Sequence, residues 1–409
     1  MDLTERLKKA IPPHIYNRPP YKTASVLLKE LEVRLGIKDG GARDNLLTLN
    51  ANENPYPPLL NDRDFGIGLN VYPALQDDRV VNLFSRLFPV DPSTILLCDG
   101  VDAGLGWLVR SLCEPFKDQI LVCPPTFPKY TTAAELHQVD SLSVPLNRTR
   151  AGIRLDTENT LSALDASYKQ GKPIKMFFLP TPNNPCGHAE DETQITKLLD
   201  AIERHYPSTF VVLDRAYWGF YDSPASIQSQ ERYPFLIHAF TLSKQYSLAG
   251  IRLGAFSMHP KLIDFVIKLA PTDPVSEAAK KIALEALTPD KIPVYRERTQ
   301  EIMGERNIFL QQLSRFPFVT DVLPSDANFI AFQVADATAF MKHLIEHRIL
   351  IRDVSHLIGE DYLRITLSTP ENNRKVLSVF ETFADEVKFP VRPSGDVRRP
   401  AFRTDELHK

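Results

Sequence analysis

Six short apolar runs, spaced by segments with helical patterning, restrict this chain to a small set of architectures. They are TILLC around Ile95, QILVCP around Ile120, IKMFFLP around Phe177, TFVVLD around Val211, HAFTLSK around Phe240 and GAFSM around Ala255. Runs apolar on both faces suit strands buried from two sides, and strands alternating with helices build a mainly parallel sheet covered by helices. With 409 residues the chain has the length for a large α/β core of this kind and an appended smaller unit. In such an open sheet ligands gather at the carboxyl ends of the strands. The polar residues that follow the runs are therefore the first candidates: Asp99 after TILLC, Asn183 and Asn184 after MFFLP, Asp214 after FVVL, and Lys244 after FTLS.

The pattern changes after Pro289. A long helical stretch, IPVYRERTQEIMGERNIFLQQLSRF, leads into alternating segments such as NFIAFQV and YLRITLS, which reads as a connecting helix entering a smaller α+β domain. The expected organisation is an N-terminal arm over 1–48, a large domain over 49–289, a small domain over 290–389 and a Pro- and Arg-rich tail over 390–409, whose composition marks it as poorly ordered. No internal repeat is visible. Lys and Arg total 48 against 51 Asp and Glu, a formal charge of -3, so no broad positive field exists to attract nucleic acid or an anionic membrane. The opening MDLTERLKKAIPPHIY lacks the apolar run of a signal peptide and no stretch has the length to span a bilayer, which gives a cytoplasmic expectation. Cys98, Cys113, Cys123 and Cys186 are widely spaced with no CxxC pair, a pattern that fits free thiols better than disulfides or zinc.

A lysine at a strand end is ordinarily just solvated, but the neighbours of Lys244 change its meaning. Thr241, Ser243 and Arg252 place two hydroxyls and a fixed cation within a dozen residues, the donor set a phosphate monoester needs. In CDGVDAGLGWLVRSL, Gly100, Val101 and Asp102 precede an apolar helix whose first N–H groups attract an anion. Asp214 closes TFVVLD ahead of Arg215, Ala216 and Tyr217; alone it reads equally as a helix N-cap worth about 1 kcal/mol. Asn184, in MFFLPTPNNPCG, reads alone as turn chemistry. Taken in order, a phosphate turn, an Asn, an Asp-x-x-Tyr, a Ser-Lys and an Arg describe a site for pyridoxal 5'-phosphate.

The same stretches carry a resemblance. LNANENPYPP, NVYPALQ, CDGVDAGLGWLVRSLCEPFKDQILVCPPTFPKY, TPNNPCG, VVLDRAYWGF, TLSKQYSLAGIRLGAF and YLRITLSTPENN resemble the fold-type-I pyridoxal-phosphate aminotransferases, and within them the histidinol-phosphate aminotransferase branch, from about Leu49 to Phe383. The resemblance implies that Lys244 bonds the cofactor aldehyde and then carries a proton as general acid/base. Asp214 would pair with the pyridine nitrogen, while Asn184 and Tyr217 would bond the ring's phenolic oxygen. Val101 and Asp102, through backbone N–H groups, with Thr241, Ser243 and Arg252, would hold the phosphate. Phe127 in CPPTFPKY would stack on the ring, and Tyr72 in NVYP would cross a homodimer interface to the neighbouring phosphate, giving shared active sites. Arg364 in YLRITLS would grip the substrate α-carboxylate, although an arginine in a β pattern can also be an edge charge.

Several positions depart from the branch. Phe127 stands where tyrosine is common, VDA replaces ADE, NNPCG replaces NNPTG, and DRAY replaces DEAY, which sets Arg215 beside the strand end. Tyr21 in RPPYKTAS resembles a substrate-reaching tyrosine, over an unusually long span to LNANE. ILIRDVSH resembles a segment of threonine-phosphate decarboxylases and offers Arg352 as a second anion-binding group or a plain surface charge; His356 reads as a solvated loop histidine. The leading expectation is an aminotransferase moving an amino group between an amino acid or phosphorylated amine and an oxo acid. A decarboxylase or amino-acid oxidase on the same scaffold competes, because the choice of Cα bond depends on substrate pose. A cofactor-sensing domain of a transcription regulator would need a basic winged helix, for which residues 1–48 are too short.

Overall fold

The computed structural model describes residues 47–49, 52, 54–56, 76–149, 152–271 and 274–386. Tyr21, Tyr72, most of the expected arm and the expected tail lie outside these residues.

Seven strands form the main sheet: β1 (Ile95–Cys98), β2 (Gln119–Val122), β3 (Asp140–Ser143), β4 (Ile174–Pro180), β5 (Phe210–Asp214), β6 (Leu236–Thr241) and β7 (Gly254–Met258). Their order is β1-β7-β6-β5-β4-β2-β3, and all neighbours pair in parallel except β7, which runs antiparallel to both β1 and β6. Each of the six apolar runs becomes one of these strands. The seventh, β3, has the sequence DSLS and lies at the sheet edge with mostly exposed residues, so it carries no apolar signal.

The runs lack a two-residue polar alternation because both faces are covered. Val122, Met176, Phe178, Val212 and Ile237 point to one side, among the buried residues of helix α2 (Val101–Leu112), counting α1 (Asp78–Leu87) before it. Leu121, Phe177, Leu179, Val211, Leu213 and Leu236 point to the other, against Ile195, Leu198, Leu199 and Ile202. Those last four lie on α5 (Glu192–His205), which follows α3 (Lys129–Leu136) and α4 (Thr157–Lys169) in the chain. Helices α6 (Pro260–Val266) and α7 (Glu277–Ala286) complete the cover. Deleting one such side chain, as in Leu198→Ala, costs roughly 2–5 kcal/mol.

The 22-residue α8 (Ile292–Leu313) leads to a second sheet, β8 (Val319–Val322), β9 (Phe329–Val334), β10 (Arg352–Asp353) and β11 (Tyr362–Thr366), ordered β8-β9-β11-β10 and wholly antiparallel. Helices α9 (Ala337–Glu346) and α10 (Pro370–Glu386) join α8 around an aromatic core that includes Phe309, Phe318, Phe340 and Phe380. Leu47–Thr48 pairs in parallel with Ile349–Leu350, and Leu49 enters this second core before the chain reaches the first sheet. The four cysteines are free and buried, and Cys186 shares that burial although its sequence context is a Pro/Gly turn.

Candidate active site

Strand register decides which residues meet. Cys98 lies opposite Gly254 and Gly254 opposite Thr241, so the ends of β1 and β6 flank the start of β7. Ala239 lies opposite Asp214 and Asp214 opposite Pro180, which continues the same edge to the turn holding Asn183 and Asn184. One strip of the molecule therefore collects residues spread over more than a hundred positions.

At one end of that strip α2 begins. Helices α1, α5 and α7 start behind Asp77, Asp191 and Ser276, whose side chains accept first-turn N–H groups; Gly100, at φ 97°, supplies no such cap to α2. A Cβ on Gly100 would sit 2.4 Å from Nη2 of Arg252, and one on Gly254 would sit 3.1 Å from the Val101 nitrogen. Glycine at both places lets the guanidinium and the helix start close on the sheet edge. Arg252, itself at φ 52°, donates from Nη2 to Asp102. Thr241 Oγ1 donates to Ser243 Oγ at 2.9 Å and accepts the Ser243 N–H at 3.1 Å, so both hydroxyls are ordered at the end of β6. An uncapped helix start, a guanidinium and two hydroxyls form an anion cradle. Nearby Asp99 has its Oδ1 buried without a hydrogen-bond partner among the described residues, and burial raises its pKa.

In the middle of the strip Asp214 is 5% exposed. The hydroxyl of Tyr130 donates to its Oδ2 at 2.8 Å and the Ala216 N–H to its Oδ1 at 3.0 Å. Burial pushes this carboxyl up to about 6 against the lowering effect of both hydrogen bonds. Tyr217 is also buried; Asn52 Nδ2 donates to its hydroxyl at 3.0 Å, its ring meets Phe329 edge-on at 5.2 Å, and burial raises its pKa. The Lys244 amine is 6.0 Å from the centre of the Tyr217 ring. Lys244, a candidate for burial beside the phosphate site, is half-buried, and its backbone is pinned. The pin is Asn54, whose Nδ2 donates to the carbonyls of Lys244 at 3.2 Å and Gln245 at 3.1 Å.

The second sheet closes the far end. Arg364, 7% exposed on β11, donates to Asn184 Oδ1 and lies over the Phe329 ring at 5.1 Å. Arg352 is its register partner on β10, so both side chains leave the same face of that sheet. Phe127 is half-buried and edge-on to Tyr130 at 5.7 Å. Asn183 turns from the cleft, bonding Pro125 and Thr126, and His356 is exposed. Sequence reasoning missed three contributors. Tyr130 had a signal, standing three residues after Phe127 and thus on the same side of a helix start. Asn52 and Asn54 lay inside the noted LNANENPYPP, but only the fold shows what they hold.

The donor set fits a particular kind of molecule. A cradle for a dianion, a buried carboxylate for a protonated ring nitrogen, a phenol and a primary amine match the charge pattern of pyridoxal 5'-phosphate.

Comparison with known proteins agrees with this reading. The family model for aminotransferase class I and II matches residues 45–380. Histidinol-phosphate aminotransferase from Cytophaga hutchinsonii is 32% identical over 336 residues, 82% of this chain and 90% of that protein. The one from Christiangramia forsetii is 32% identical over 382 residues, 93% of this chain and 99% of the relative. A solved structure of histidinol-phosphate aminotransferase from Sinorhizobium meliloti, in complex with pyridoxal-5'-phosphate, has the same fold, with a TM-score of 0.74 at 22% identity over 91% of this chain and 98% of that one.

Proposed function

The chain belongs to the aminotransferase class I and II family, and from that premise we propose how its residues divide the reaction. It is a pyridoxal-phosphate-dependent aminotransferase of the histidinol-phosphate aminotransferase-like group, acting on a small amino-acid-type substrate. Bound pyridoxal phosphate supplies an electrophilic aldehyde and a sink for the electrons released when a Cα bond breaks.

The rest is the work of side chains. Lys244 would be the amine that holds the aldehyde carbon, and once a substrate amine has taken its place it would be the base for the substrate Cα proton. Asp214 would hold the ring nitrogen protonated; burial raises its pKa to about 6, and a ring cation facing it would favour the ionised form. Tyr217 and Asn184 would orient the ring's phenolic oxygen, and Phe127 would pack against the ring. Val101 and Asp102 backbone N–H groups, Thr241, Ser243 and Arg252 hold the phosphate. Arg364 grips the α-carboxylate, and Arg352 beside it gives the small domain a second cation for an anionic group on the substrate, consistent with a phosphorylated amine. The large domain over 49–289 thus keeps the cofactor and the small domain over 290–389 reads the substrate. Tyr21 adds a further substrate contact, and Tyr72 reaches the phosphate of a second copy, so the working unit is a cytoplasmic homodimer. No helix of the described residues is long and apolar enough to cross a membrane.

The observation that carries this assignment is the single edge on which Asp214, Lys244 and Arg252 meet while Arg364 arrives from the other sheet through Asn184. Mixing the holoprotein in turn with L-glutamate, L-histidinol phosphate and O-phospho-L-threonine, with and without oxygen, tests it. Conversion of the bound cofactor to its amine form, reversed by an oxo acid, supports transfer. Release of carbon dioxide or uptake of oxygen at the same rate would replace the reading by decarboxylation or oxidation.

A further inference from the structure

Arg215 is 0% exposed, the largest fully buried side chain among the described residues, and it immediately follows Asp214. Successive residues of an extended chain point to opposite faces. Asp214 turns toward Tyr130, and Arg215 turns to the other side, where α5 begins. There each of its N–H groups finds an acceptor. Nη1 donates to Glu192 Oε1 at 2.7 Å and to the Tyr221 hydroxyl at 3.2 Å; Nη2 donates to Glu192 Oε2 at 3.0 Å and to Gln228 at 3.1 Å; Nε donates to His238 Nδ1 at 3.2 Å. The other ring nitrogen of His238 lies 3.0 Å from the Gln228 carbonyl, so it carries the proton, and burial holds the imidazole neutral with its pKa down at about 3. The guanidinium also packs over Trp218 at 5.6 Å. Its backbone is fixed as well, the Arg215 N–H donating to Ala239 and its carbonyl accepting from Trp218.

A buried ion pair is weak evidence for stability, because well-packed apolar residues of the same volume commonly do as well or better. A rigid five-donor fork does something apolar packing cannot: it fixes rotation as well as position. We propose that Arg215 is the positioning residue of this active site, clamping the start of the Asp214–Tyr217 turn to α5, β6 and the loop at Gln228 so that the carboxylate and the phenol on the opposite side keep one orientation. The inference rests on the reading that Asp214 and Tyr217 face the cofactor.

Its test separates orientation from stability. Arg215→Met alone strands Glu192, His238 and Gln228 and lowers the melting temperature. The double variant Arg215→Met/Glu192→Met removes the stranded acid and is expected to regain most of the lost melting temperature, yet to bind pyridoxal 5'-phosphate about tenfold or more weakly and to shift the pH midpoint of the bound cofactor's absorbance. Arg215→Lys, which keeps charge without the fork, is expected to show the same shift. Glu192→Gln, at a side chain 27% exposed, keeps the fold and is expected to move the midpoint in the same direction by less. Wild-type affinity and midpoint in all of these variants would overturn the proposal. Asp214→Asn is measured alongside: if it leaves affinity and midpoint unchanged, the assignment of Asp214 to the cofactor is what has failed; if it changes both while the Arg215 variants do not, the clamp is what has failed.

Discussion

Replacing Tyr130 by phenylalanine should reveal what the phenol does for Asp214. The ring is buried and stacked on Phe178 at 4.8 Å with 10° between planes, so Phe preserves the packing and removes one donor from the carboxylate. A hydrogen bond to a charged group contributes roughly 1.5–3 kcal/mol, and 1.36 kcal/mol corresponds to one pKa unit, so Asp214 should rise by about one to two units. The sign for stability follows from linkage. Asp214 has a folded-state pKa of about 6, above its unfolded value, so its contribution is complete at low pH and is lost as pH rises through the folded value. In wild-type apoprotein that loss amounts to about 3 kcal/mol in total, most of it between pH 4 and pH 7; in Tyr130→Phe it should continue for another one to two pH units. Urea unfolding of both apoproteins at pH 5.5 and pH 8.5 measures it. The variant should be little weaker than wild type at pH 5.5 and roughly 1.5–3 kcal/mol weaker at pH 8.5. Cofactor should narrow the gap, since a ring cation supplies what the phenol gave. An equal deficit at both pH values would show that Tyr130 only packs, and the electrostatic argument would be wrong.

Other perturbations have equally definite outcomes. Lys244→Ala should retain cofactor by its phosphate contacts but lose turnover by at least ~10³-fold, checked by single-turnover absorbance; appreciable transfer would rule out Lys244 as the proton carrier. Gly100→Ala places a Cβ on a positive-φ residue 2.4 Å from the Arg252 guanidinium, so cofactor affinity should fall by about tenfold or more in equilibrium dialysis, with a smaller loss of thermal stability. Arg364→Lys keeps the charge but not the fork that meets a carboxylate, and steady-state kinetics should show KM raised by about tenfold or more with the cofactor spectrum unchanged.

The sequence carried the main sheet because its strands are apolar on both faces, and it carried the cofactor edge because strand ends and their polar followers are adjacent in the chain. β3 escaped because DSLS at an edge has nothing to bury. Tyr130 and Asn52 escaped for another reason: the bond from Tyr130 to Asp214 spans 84 positions and that from Asn52 to Tyr217 spans 165, distances over which no local pattern operates. Arg215 was visible as an unusual neighbour of Asp214, but which way it points depends on the strand pleat and on Glu192, Gln228 and His238 arriving from three other elements.

The short stretch from Leu47 to Asn54 acts as a mechanical linkage. It pairs with Ile349–Leu350 and is fastened to the second sheet at Thr366, whose Oγ1 accepts the Asn52 N–H at 2.9 Å. From there Asn52 holds the Tyr217 hydroxyl, and Asn54 holds the carbonyl of Lys244. The sheet that carries Arg364 is thereby geared to the phenol and to the lysine. On the proposed roles, a displacement of the sheet that carries Arg364 would reach the Tyr217 hydroxyl and the Lys244 backbone through this one stretch.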